Sequence, residues 1–302
     1  MPDIRPGGGW RKLGRVLEAD GGPLARSHAM LPTPWVLPDR VRVFYAACDA
    51  GMRGRIFSAD FAPTPPFRLL SRSAVPVLDV GPQGAFDCDG VNPSQIIEAD
   101  GRLALLYIGW RRGGAEEPYT LFAGIAFSED GGASFQRRDE PLLPPLPGER
   151  LFRTAPFIER RRDGWRLLYI GGERFLTDDS GKRLPVYSLM ELRSDGPWSW
   201  TGPGRELLAP ALEAGEIGFG RPVALGGERL MLSVRTRDGY ELVETSAEPG
   251  AARRPVLEGP REAWEAHMTC FGAPCRVGPY DLLFYNGDGF GRTGMGLAWR
   301  DA

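Results

Sequence analysis

The sequence predicts an all-β chain built from a repeated strand unit, and three observations predict it. The first is the segment LLYIG, found at residues 105–109 and again at 167–171, with looser copies VFYAA at 43–47, LMLSVR at 230–235 and LLFYNG at 282–287. With Tyr45, Tyr107, Tyr169, Ser233 and Tyr285 as markers, the steps are 62, 62, 64 and 52 residues. Self-similarity at near-constant spacing signals a repeat architecture. The second observation is that each repeat divides into short β-rich runs separated by turn signals such as Asp-Gly-Gly at 130–132, the pattern of antiparallel strands. The third is the 41 glycines and 28 prolines spread through all 302 residues, which suit many tight turns. Five copies of a four-stranded antiparallel unit predict a five-bladed β-propeller, one domain spanning residues 1–302.

The elements follow in order within each repeat. A first strand carries a proline: LPTPWVL at 31–37, VNPSQII at 91–97, TAPFIE at 154–159 and GRPVAL at 220–225. The marker strand comes second. A third strand is small-residue or alternating: 55–61, 121–128, 187–194, 240–246 and 294–300. A fourth follows a turn and ends in an apolar pair, as in FQRRDEPLL and WSWTGPGRELL. The fifth repeat stops after its third strand, while residues 10–20 (WRKLGRVLEAD) carry the fourth-strand pattern. The N-terminal strand is therefore expected to close the last blade, which would remove exposed sheet edges.

Composition narrows the function classes. A net charge of −2 gives no basic surface for nucleic acid or an anionic membrane. The start of the chain, MPDIRPGGGWRKLGRVL, has no apolar stretch of signal-peptide length, and no membrane span occurs, so a cytosolic protein is expected. Cys48, Cys88, Cys270 and Cys275 lack metal-ligand spacing and are read as free thiols.

In a propeller, loops entering the first strands converge on one mouth of the central funnel. Aligned on prolines 34, 93, 156 and 222, the position six residues earlier reads His28, Asp87, Arg150 and Glu216. The same segments hold Asp89, Asn92, Arg153, Thr154, Arg221, Glu265 and His267, and both histidines of the chain fall in them. Carboxylates buried near one axis are costly unless paired or used; the alternative use for these is a structural network with Arg153 and Arg221. Trp110, Tyr119, Trp264, Tyr285 and Phe290 sit at strand ends or in loops, where a flat ring can stack on a ligand; packing between blades is the alternative for Trp110 and Tyr285. The glycine-rich loop at 286–294 joins two strands rather than a strand and a helix, so it is read as a turn presenting Asn286, Asp288 and Arg292, not as a dinucleotide site.

The motifs at 28–34 (HAMLPTP), 86–94 (FDCDGVNPS), 105–110 (LLYIGW) and 285–296 (YNGDGFGRTGMG) resemble a branch of the five-bladed glycoside hydrolases of the arabinanase, xylosidase and invertase clan. The resemblance spans essentially all the repeats. It implies an acid from each of blades one, two and three: a base or nucleophile, a pKa modulator and a general acid. Asp89 or Asp87 matches the second; the first has no Asp before Pro34, only His28 nearby; the third reads Arg153-Thr154-Ala155-Pro156, with Glu173 as a substitute on a following loop.

The expectation is a carbohydrate-active enzyme, glycosidase-like or phosphorylase-like, on a sugar or anionic sugar derivative. Asp89 and Glu216 would share acid/base work with Asp87 as modulator. Arg153, Arg221 and Arg292 would hold an anionic group through their guanidinium forks. His28 and His267 would hydrogen-bond the substrate or shuttle protons, with Asn92, Glu173, Asn286, Asp288 and Trp110 lining the site. No cofactor is expected. Two other readings stand beside it: a catalytically inactive sugar-binding propeller, and a metal site built from His28, His267 and a carboxylate.

Overall fold

The computed structural model describes residues 9–248 and 250–302; residues 1–8, part of the segment read as lacking a signal peptide, lie outside the described residues. The chain is all-β. Strand β1 (Arg11–Leu17) is followed by a meander of β2 (Ser27–Val36), β3 (Val41–Cys48), β4 (Gly54–Phe61) and β5 (Leu69–Arg72). The same order returns in β6 (Gly90–Ala99), β7 (Arg102–Arg112), β8 (Tyr119–Ser128) and β9 (Gln136–Arg137). It returns again in β10 (Phe152–Arg161), β11 (Gly164–Thr177), β12 (Arg183–Ser194) and β13 (Arg205–Leu208). Next come β14 (Glu216–Phe219) with β15 (Val223–Ala224), then β16 (Arg229–Thr236), β17 (Tyr240–Ser246) and β18 (Arg254–Pro255). The chain ends with β19 (Cys270–Val277), β20 (Tyr280–Asn286) and β21 (Met295–Asp301).

Pairing within each meander is antiparallel, and brief parallel contacts, Gly54 to Gly90 and Phe152 to Leu121, link one meander to the next. Strand β1 pairs antiparallel with β21, Arg11 opposite Trp299 and Leu17 opposite Met295. Among the described residues no helix is long and apolar enough to cross a membrane.

Burial explains why the LLYIG strands are unbroken apolar runs. The middle of β7 and of β11 is buried on both faces, whereas β5 is exposed along most of its length. Sheets stacked face to face bury both sides of their inner strands, which removes the alternation seen in half-solvated sheets. One cluster joins Phe44 and Ile56 to Val91, Leu105 and Tyr107; another joins Leu106 and Ile125 to Leu167 and Tyr169. Small residues in the third strands make room for the marker rings: a Cβ at Gly124 would lie 2.2 Å from Tyr107 Cζ. The four cysteines are free thiols, three of them buried.

Candidate functional site

The first strands of successive meanders meet around a cavity of about 200 Å³. Each of β2, β6, β10 and β19 carries a register shift midway, between Met30 and Thr33, Pro93 and Gln95, Thr154 and Phe157, and Cys270 and Ala273. Leu31, Ala155 and Phe271 sit at three of these bulges with φ of 53°, 52° and 52°, a left-handed conformation that non-glycine residues hold only when the surroundings impose it. The bulges turn backbone and side chains toward the axis. Just before them, opposite the residue after each marker, stand Met30 (facing Ala46), Asn92 (Ile108), Thr154 (Ile170) and Cys270 (Asn286). These share a register, yet Met30, Asn92 and Thr154 lie at different distances from Pro34, Pro93 and Pro156. Bulges and proline placement differ between repeats, so the alignment on prolines slides out of register.

That slip bears on where several of the expected site residues lie. Asp87 is fully buried away from the cavity lining, where it accepts the Tyr107 phenol at 2.9 Å and pairs with Arg137 of β9. Glu216 pairs with Arg253 and accepts the Ala211 N–H at 3.0 Å. Arg153 is spent in the same way: its Nε lies 2.6 Å from Glu149, and its other nitrogens donate to Pro144 O at 2.8 Å and Gly202 O at 2.9 Å. Because side chains alternate along β10, Arg153 faces the neighbouring sheet while Thr154 faces the axis.

A recurring device lies behind these pairings. An acid twenty residues before the marker tyrosine receives its phenol, Asp87 with Tyr107 and Glu149 with Tyr169 at 2.6 Å. Glu265 stands beside Tyr285 in the same relation, and Lys12 of β1 pairs with it at 2.8 Å. Burial first, and then the adjacent carboxylate's charge, pushes the Tyr107 and Tyr285 phenols far above their ordinary range.

The loop residues have structural partners too. Asn286 is buried, accepting the Leu31 N–H at 2.7 Å and donating to Ala29 O at 2.6 Å and Gly294 O at 3.1 Å. Asp288 accepts the backbone N–H groups of His267 and Met268 at 2.9 and 2.8 Å. Glu173 is exposed and accepts the Gly148 N–H at 2.9 Å. Trp264 and Tyr285 pack on each other with ring centroids 5.5 Å apart, and both are buried.

Around the mouth, His28 is buried at a φ of 68° and shares a hydrogen bond with Ser27 Oγ at 2.9 Å. Burial, then the charge of Arg292, lowers its pKa, so it is neutral at neutral pH. His267 and Arg292 are exposed. Among the described residues no three His, Cys, Asp or Glu side chains group as metal ligands. Trp110 is half-buried, 6.3 Å from the Tyr119 ring. Asp89 accepts the Arg112 N–H at 2.9 Å and has no ion pair among the described residues.

Arg221 bridges β2 and β19 beside the cavity. Its Nη1 donates to Thr33 Oγ1 at 3.0 Å and its Nη2 to Phe271 O at 2.8 Å, while no carboxylate among the described residues pairs with it. Burial pushes its pKa down to about 9. The cavity wall is largely aliphatic and aromatic, and no Asp or Glu contributes to it. Three polar atoms of its lining residues have no partner: Asn92 Oδ1, Thr154 Oγ1 and Arg221 Nε. The sequence reading missed Tyr187 and Tyr240, which line this wall. A signal existed: tyrosines at 119, 187 and 240 stand at or near the starts of three successive third strands.

With this geometry in place, comparison with solved structures is informative. A protein titled "Glycoside hydrolase" superposes with a TM-score of 0.69 at 14% identity, covering 96% of this chain and 91% of that one. A structure from work titled "The GH130 family of mannoside phosphorylases contains glycoside hydrolases that target beta-1,2 mannosidic linkages in Candida mannan" gives 0.67 at 14%, over 99% and 96%. The chain shares their fold. The GH43_1 enzyme from Xanthomonas citri complexed with xylose is similar as well, with a TM-score of 0.61 at 16% identity over 94% and 90%. By sequence, the chain is 26% identical to "Uncharacterized protein Rv1502" of Mycobacterium tuberculosis, over 96% of this chain and 98% of that one. No known family profile matches it.

Proposed function

We propose that the strand groups are the five blades of a single propeller domain, with β1 completing the last, and that its axial cavity binds a sugar or sugar derivative. The observation that carries this reading is the lining: apolar and aromatic walls around the partnerless Asn92 Oδ1, Thr154 Oγ1 and Arg221 Nε. Buried polar atoms are normally satisfied, and a few convergent ones in an apolar pocket fit ligand hydroxyls. The fold neighbours, several of them named as glycoside hydrolases, support a carbohydrate ligand. Hydrolysis by two opposed carboxyl groups is not part of the proposal, because no carboxylate lines the cavity. Isothermal titration with a panel of neutral monosaccharides tests it. Binding is expected, with Asn92→Ala about tenfold weaker; a wild-type protein that binds no sugar overturns the reading.

One observation favours phosphorolysis as a second reading: Asp89, just before β6 and outside the cavity lining, is free of ion pairs among the described residues. Phosphorolysis needs a single acid. A phosphate oxygen attacks the anomeric carbon, the glycosidic C–O bond breaks, and the acid's proton goes to the leaving oxygen. Phosphate-dependent cleavage of oligosaccharides, lost in Asp89→Asn without change in melting temperature, supports this; an Asp89→Asn variant of full activity removes it.

A further inference from the structure

Resting on the axial-cavity reading, the geometry points to a narrower ligand class: we infer that the site takes a single sugar ring bearing an anionic group, held by Arg235 within a cluster of three tyrosines. Arg235 stands at the end of β16, partly exposed, beside Tyr119, Tyr187 and Tyr240. Its guanidinium carbon lies 5.6 Å from the centre of the Tyr240 ring, and the Tyr119 and Tyr187 phenol oxygens are 3.4 Å apart. Tyr187 and Tyr240 are themselves cavity wall, so the guanidinium stands against the rings that line the space a ligand would fill, while Arg221 lines it directly.

Two features make this an anion site rather than a structural pairing. Buried arginines elsewhere are matched to acids: Arg55 with Asp49 and Asp79, Arg153 with Glu149, and Arg166 with Glu159 and Glu191. Arg235 has no carboxylate in ion-pair range among the described residues, and neither has Arg221 on the same cavity, whose Nε is without an acceptor. Two cations beside an apolar cavity without a counter-charge leave a positive site that an anionic ligand would neutralise. Phenol hydroxyls add donors around such an anion, and a guanidinium fork fits either a carboxylate or a phosphate. The size follows from the volume: about 200 Å³ is below the roughly 300–1,000 Å³ of drug-sized pockets, so the cavity itself holds one ring and any further unit would lie outside it.

The experiment is titration calorimetry on the full chain with matched methyl glycosides: a neutral hexoside, the corresponding uronate and the corresponding 6-phosphate. At least one anionic ligand is expected to bind about tenfold or more tightly than the neutral one, and the preferred ligand separates carboxylate from phosphate. Arg235→Gln is expected to remove that preference while leaving neutral-sugar affinity within about twofold, and Arg235→Lys to restore part of it. Equal affinity for neutral and anionic ligands, or an Arg235→Gln variant that weakens all three alike, overturns this inference and leaves the sugar reading standing. If none of the three binds, both fall.

Discussion

Asp87 shows how one side chain can carry the signature of a catalytic acid and be consumed by architecture. It is an acid beside a predicted first strand, in a segment resembling a hydrolase motif, and it is buried without solvent contact. Its neighbours decide its role: the Tyr107 phenol donates to it and Arg137 neutralises it. Removing one charge of a buried pair leaves the other uncompensated, a cost of about 3 kcal/mol. Asp87→Asn is therefore expected to lower the melting temperature by several degrees, whereas a catalytic acid would lose turnover at unchanged stability. Thermal unfolding of that variant decides between the two; a wild-type melting temperature would return Asp87 to the list of free acids. Thr154 is the converse, a modest side chain that reaches the axis because its neighbour Arg153 took the other face of β10.

At the scale of the strand, the sequence was most readable where burial was most complete. The marker runs around Tyr45, Tyr107, Tyr169 and Tyr285 are second strands of their meanders, and the runs expected at 55–61, 121–128, 187–194 and 240–246 are β4, β8, β12 and β17. The fourth strands were harder to read. Among the described residues the fourth strands that follow their third strands are short, Leu69–Arg72, Gln136–Arg137, Arg205–Leu208 and Arg254–Pro255, and the apolar pair Val77–Leu78 is buried outside them, held to β4 by a single Ile56–Leu78 bridge. First strands were located, but their register was not. A proline marks a place in the sequence, whereas a bulge decides which side chain faces the axis, and the bulges sit at different distances from Pro34, Pro93 and Pro156. The same ambiguity hid the site. Asn92 and Arg221 were named from the sequence, but Tyr187, Tyr240 and Arg235 lie outside the first strands, where attention to the channel does not lead.

Across the whole molecule, the pairing of β1 with β21 ties the beginning of the described chain to its end. Arg11 and Lys12 reinforce it through Asp301 and Glu265, and Leu17 is buried in the cluster that holds Phe284, Met295 and Leu297. A chain lacking the residues through Leu17 would expose β21 as an unpaired edge and uncover that cluster, conditions that favour association between copies. Size-exclusion chromatography of such a truncation is expected to show aggregates or oligomers at concentrations where the full chain runs as its normal species. An unchanged elution profile and melting temperature would mean that β1 contributes little.

The pairing also imposes an order in time. At a synthesis rate of about 5–20 residues per second, the stretch from Leu17 to its partner Met295 takes on the order of 15–60 s to make. Through that interval β1 exists and its sheet does not. Internal meanders such as β6–β9 gather their partners within a few dozen residues, so they can form while synthesis continues. Strand β1 must instead stay without its sheet partner until β21 has been made. Of the strand pairings described, it is the one that joins the most distant parts of the sequence, so an early strand waits longest for its place.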